Sequence, residues 1–97
     1  MSRPVVSVGV TRVWVRYAPS PQVKNALVRA FPWQRRKEHG FQWDAQRFQY
    51  KLNREHLGEL LRVMFRFFDA IEIRQRDGSI KVIDAGGREV KQESLAL

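Results

Sequence analysis

Between Phe41 and Phe68 the spacing of large apolar residues changes once, and that change restricts what the chain can build more than any other feature. Phe41 and Trp43 alternate, "DAQR" makes a turn, and Phe48, Tyr50 and Leu52 alternate after it, which predicts an antiparallel hairpin with aromatic cross-strand pairs. From Leu57 onward the step lengthens. Leu57, Leu60, Leu61, Met64 and Phe68 recur every three or four residues, the period of a helix with one buried stripe. Asn53 is placed to cap that helix and Glu55 to favour its positive end. Arg54, Arg62 and Arg66 fall at other angles, and Phe65 and Phe67 are aromatics that one stripe cannot hide.

The segments on either side supply the rest of a sheet and a second helix. From Val5 to Tyr17 apolar residues alternate, but the parity switches near Gly9 to Thr11, as a bulge in one long, kinked strand would require. Two readings of its second half stay open. Either Trp14 shares an exposed face with Arg12 and Arg16, or Trp14 is core and Val13 is exposed. "SPQVKNALVRAFP" is a bounded helix: Ser20 is the N-cap, Pro21 the first helical residue, and Pro32 the stop. Val23, Ala26, Leu27, Ala30 and Phe31 make its apolar stripe. "WQRRKEHG" predicts an extended strand or a loop, ended by Gly40. Downstream, "AIEIRQ" and "SIKVIDA" read as two strands turned by Asp77-Gly78, with Gly86-Gly87 and a short strand at "REV" after them.

The order predicts an α+β fold, a two-layer sandwich of a mainly antiparallel sheet with two helices on one face. Ninety-seven residues suit one domain, 1–97, expected to be ordered from about residue 4 to 91 with a frayed end. Thirteen Arg and five Lys against ten acidic residues leave a net charge of +8, the balance of a protein that meets polyanions. The bias to Arg adds bidentate phosphate contact and stacking; the alternative is a merely basic, solvated surface.

Several chemistries lack their residues. Without cysteine there is neither a disulfide framework nor a thiolate metal site. His39, read in a loop, and His56, read in the first turn of the later helix, do not complete a zinc set. The chain has no GxxxxGK, GxGxxG or GxSxG pattern, and "DAGGRE" reads as a turn. Asp44, Asp69, Asp77 and Asp84 sit at turns or element ends; only Asp69, Glu72 and Asp84 offer a route to a metal nuclease, without any diagnostic spacing. The expectation is a protein without catalytic residues, cofactor or metal. No apolar run approaches the roughly 18 residues of a membrane span, and "MSRPVVSVGVTRVWVRY" is not a signal peptide, so a cytoplasmic protein is expected.

Taken together, "VWVRYAPSPQVKNALVRAFP" and "FQWDAQRFQYKLNREHLGELLRVM" resemble the HARP domain, the accessory module beside the motor of annealing helicases. The shared pattern is a strand ending in Tyr17, a helix ending Ala30-Phe31-Pro32, an aromatic-Asp turn at Trp43-Asp44, aromatics at Phe48 and Tyr50, and a helix after a polar cap; it covers roughly residues 13 to 64. It departs at "WQRRKEHG", longer than the family's link, and at Phe48, where the family's hairpin carries a second Trp. The resemblance implies a compact sheet with helices on one side that binds branched, forked or partly single-stranded DNA and assists a motor acting in trans.

The residues expected to contact nucleic acid are Lys24, Arg29, Trp33, Arg35, Arg36, Lys37, Arg47, Lys51 and Arg54, with cations on phosphates and Trp33, Trp43 and Tyr50 as stackers. DNA is the expected partner and RNA is also compatible. The competing reading is a small regulator from a virus or mobile element that docks on a host protein through Met64, Phe65 and Phe67; the same patch would serve a homodimer.

Overall fold

The computed structural model describes residues 3–90. Strands β1 (Val5–Val8), β2 (Arg12–Arg16), β3 (Gln42–Asp44), β4 (Gln49–Asn53), β5 (Ala70–Arg74) and β6 (Ile80–Asp84) form one sheet in the order β3-β4-β2-β1-β5-β6. Helices α1 (Pro21–Ala30), α2 (Arg36–His39) and α3 (Leu57–Met64) complete the described elements, with 3-10 turns at Trp33–Arg35 and Arg54–His56. All strand pairs are antiparallel except β1 with β5. The α+β, mainly antiparallel architecture is the one the sequence implies.

Val5 to Tyr17 is not one kinked strand. The chain folds back at Gly9–Thr11, and β1 pairs with β2 so that Val6 opposes Val15 and Val8 opposes Val13. The parity switch is absorbed by the tight connection, whose Gly9 amide donates to the Arg12 carbonyl at 2.8 Å. A Cβ on Gly9 would lie 2.8 Å from Trp14 Cζ3 and 3.0 Å from the Arg12 carbonyl oxygen, so a larger residue would force the ring or the turn to shift. Val13 and Val15 are fully buried and Trp14 is half-buried on the opposite face, which resolves the open alternative in favour of Trp14 alongside Arg12 and Arg16.

The core lies between one sheet face and the two longer helices. Val6, Val13, Val15, Leu52 and Ile71 from the sheet meet Val23, Leu27 and Phe31 near α1 and Leu60, Val63 and Met64 from α3. Ser20 Oγ accepts from the Val23 amide and caps α1 as expected. The later helix is shorter than its apolar spacing implies: beyond Phe65 the Arg66 and Phe67 amides donate to the carbonyls of Val63 and Met64, three residues back, and the α-helical ladder ends. Phe68 is half-buried against the core, and Val63, absent from the predicted stripe, is buried in it.

Met64 is 0 % exposed, so it cannot contact a partner. Phe65 is half-buried against the core; of the residues expected at a protein interface only Phe67 is exposed. Met64 follows Leu60 by one helical turn and shares its buried stripe, which outweighs its expected place at an interface.

"WQRRKEHG" is helical: the 3-10 turn and α2 follow directly on Pro32. The cause is His39, buried at 4 % exposure and not in a loop. Its Nδ1 accepts from the Phe41 amide at 2.9 Å, so Nε2 carries the proton and donates to the Pro32 carbonyl at 2.9 Å. One ring thereby closes the segment at both ends. Gly40 ends α2 at φ 67°, where a Cβ would meet Asn53 Oδ1 at 2.7 Å. Asn53 makes no side-chain cap for the turn that follows; its Nδ2 donates to the Glu38 carbonyl at 3.0 Å and ties α2 to the sheet. His56 lies in the 3-10 turn preceding α3, where its Nε2 reaches the Glu38 carbonyl at 3.1 Å.

The Asp77-Gly78 turn joins β5 and β6 as predicted, with Gly78 at φ 88° and Asp77 Oδ1 accepting from the Ser79 amide. "REV" contributes a single bridge, Glu89 to Ile83, instead of a strand. The expected fraying beyond Lys91 lies outside the described residues. Among those residues no helix is long and apolar enough to cross a membrane, and no three His, Asp or Glu side chains gather to hold a metal ion.

Candidate nucleic-acid interface

The β3–β4 hairpin extends the sheet beyond the cover of α1 and leaves a groove between them. Its walls are the end of β2 with Tyr17, the start of α1 with Ser20, Pro21, Lys24 and Asn25, and the hairpin with Trp43, Phe48, Gln49 and Tyr50. The volume is about 550 Å³, within the range of small-molecule sites.

Alternation sets its floor. Val15 opposes Tyr50 and Tyr50 opposes Trp43, so both aromatics share the helix-side face at the uncovered edge. Tyr50 stacks on Phe41 at 5.0 Å and Tyr17 at 6.3 Å between centroids, and Trp43 meets Tyr50 edge-on at 4.9 Å. Phe41 is buried and stacks in turn on Phe31 at 5.5 Å, so the outer rings rest on a slab rooted in the core. Burial first, and Tyr50 second, push the Tyr17 hydroxyl up to about 12.

The outer wall is less economical. Trp43 is 50 % exposed and Phe48 is 74 % exposed. Phe48 is not a strand residue as its alternation implies. It is the last residue of the turn Ala45–Phe48, at φ 53°, a left-handed conformation that favours glycine or asparagine. The turn itself is firmly held. Asp44 Oδ1 accepts from the Gln46 and Arg47 amides at 3.0 and 3.3 Å, and Asp44 Oδ2 accepts from Trp14 Nε1 at 3.0 Å. The Trp14 hydrogen bond, then those turn amides and Lys51, hold the Asp44 carboxyl below its usual range. The strain at Phe48 and the exposure of its ring contribute nothing evident to the fold.

The expected contact residues divide among several places. Lys24 is on the groove rim, whereas Arg16, which borders the groove, belongs by strand alternation to the opposite sheet face. Arg29 is exposed in the last turn of α1. Trp33 is 63 % exposed, as its position after Pro32 suggests, but the Arg36 guanidinium lies 4.0 Å over its ring. Arg35 pairs with Glu38 at 2.7 Å, while Lys37 stands exposed beside them. Within the basic run, Arg35 and Arg36 thus have partners inside their own two turns. Arg47 and Lys51 lie on the opposite sheet face, and Arg54 reaches back to the Val10 carbonyl at 3.4 Å. Tyr17 and Phe48 were not marked as site residues by sequence. The available signal was an aromatic directly after an Asp-led turn, a place where turn chemistry calls for glycine or asparagine. No family model, curated protein or solved structure matches this chain.

Proposed function

We propose that the protein is a non-catalytic module that binds single-stranded or partly single-stranded DNA in the groove between α1 and the β3–β4 hairpin. The observation that carries this reading is Phe48: a large aromatic ring, mostly exposed, held at φ 53° on the rim of an aromatic-floored groove. Strain and exposure both oppose such a residue, and a ligand that stacks on the ring offsets both. Unpaired bases are flat and apolar on their faces, and they carry phosphates that Lys24 would meet at the rim. The net charge of +8 raises the local concentration of such a ligand. The HARP resemblance over residues 13 to 64 points to the same ligand class.

A fluorescent oligothymidine titrated at about 50 mM and about 200 mM salt tests the reading. Saturable binding that weakens steeply at the higher salt is expected, with Trp43→Ala lowering affinity about 5- to 100-fold through loss of one stack. No binding at the lower salt would remove the proposal.

A further inference from the structure

The sheet face turned away from the core carries its own charge pattern. Arg12, Trp14 and Arg16 of β2 project there, with Lys51 opposite Trp14 on β4 and Ser7 opposite it on β1. Arg74 of β5 continues the same row beside Ser7. The Arg47 guanidinium lies 3.9 Å over the Trp14 ring, so the aromatic at the centre of this surface is capped by a cation.

The carboxylates on this part of the face are already engaged. Asp44 accepts from Trp14 and from its own turn, and Glu72 pairs with Arg74 at 2.7 Å. At its margin, Asp84 accepts from the Gly86 and Arg88 amides. Among the described residues, both longer helices pack on the opposite face. The surface around Trp14 is therefore cationic, bounded toward β5 and β6 by Val5 and Val82, which share this face and are buried, and it offers no free ring for a base.

We propose that this face is a second nucleic-acid surface, one that takes the phosphate backbone of a duplex without reading its bases. Charge complementarity selects the occupant. Arg12, Arg16, Arg47, Lys51 and Arg74 are spread over several strands, which suits rows of phosphates more than a point ligand. The inference rests on the reading that the protein binds nucleic acid, but it uses different residues from the groove.

The test titrates a blunt duplex and an oligothymidine into the wild type, Lys51→Glu/Arg74→Glu and Trp43→Ala at several salt concentrations. The double variant is expected to lose tenfold or more in duplex affinity, with the log–log salt slope falling by about 2, while oligothymidine binding changes less than about threefold. Trp43→Ala should show the reverse pattern. Lys51→Gln/Arg74→Gln, with its circular dichroism compared with wild type, supplies a milder variant if the charge reversal unfolds the chain; an intermediate loss for duplex is expected. Oligothymidine binding without duplex binding by the wild type would overturn the second surface and leave the groove standing. Duplex binding that the double variant weakens, without oligothymidine binding, would support the face and remove the groove. Equal loss of both ligands in a folded double variant would overturn the proposal by showing one shared surface. Displacement of the duplex by poly-glutamate at equal charge concentration would also overturn it, in favour of an acidic protein partner.

Discussion

Glycine in place of Phe48 is expected to make the protein more stable and a weaker binder of single-stranded DNA at once. A left-handed backbone costs an L-residue about 1–2 kcal/mol, and the extra chain entropy lost by glycine returns about 0.5–1 kcal/mol of that relief. The ring is 74 % exposed, so little packing is lost with it. The net gain of about 0.5–1 kcal/mol corresponds to a melting temperature higher by about 2–8 °C in a domain of this size. Binding moves the other way. Loss of a stacked base is worth about 1–3 kcal/mol, or roughly a 5- to 150-fold weaker complex with oligothymidine. Thermal unfolding followed by circular dichroism and an anisotropy titration read the two effects separately. A lower melting temperature with unchanged affinity would assign Phe48 to the fold instead.

The second large effect is expected at His39. His39→Leu removes the acceptor for the Phe41 amide and the donor to the Pro32 carbonyl, in a place 4 % exposed. The Phe41 amide is then left without a partner, while the Pro32 carbonyl keeps the Arg35 amide at 2.9 Å; one buried group left unpaired costs about 1–3 kcal/mol, a sizeable share of the roughly 5–15 kcal/mol typical of a domain. Urea unfolding of wild type and variant checks the figure. Because Phe41 underlies Tyr50, the groove should loosen with the α2 segment. A variant as stable as wild type would show that the ring does not hold this segment in place.

How far the sequence could be read follows from where each signal is local. Ser20, Pro21 and Pro32 mark α1 through contacts within a few residues, and Asp77-Gly78 marks its turn in the same way. Those features are legible because short-range geometry decides them. The β1–β2 hairpin was hidden by the same alternation that marks strands, since a tight turn and a bulge both switch parity. The helical form of "WQRRKEHG" depends on His39 bonding to both Pro32 and Phe41, a long side chain acting as a clamp that no propensity reports. Asn53 has an N-cap's position, but its side chain is taken by a partner distant in sequence, Glu38.

The groove was the least legible part. Trp43 and Tyr50 are recognisable as stackers by type, yet only the extension of the hairpin beyond α1 separates exposed Trp43 from half-buried Tyr50. Charge is distributed in a way the sequence does not report. Arg35 and Arg36 form the densest basic run, but one is paired with Glu38 and the other lies on Trp33. Lys24, an isolated cation on a helix, is the one that faces the aromatics.

The central claim, that a single strand lies in the groove, is tested most directly by amide chemical-shift mapping with 15N-labelled protein and oligothymidine. The largest shifts are expected on Tyr17, Lys24, Trp43, Phe48 and Tyr50, with the indole N–H of Trp43 among them and that of Trp33 little changed. Shifts centred on Trp33 and Arg35 to Lys37, with the groove residues unmoved, would contradict it.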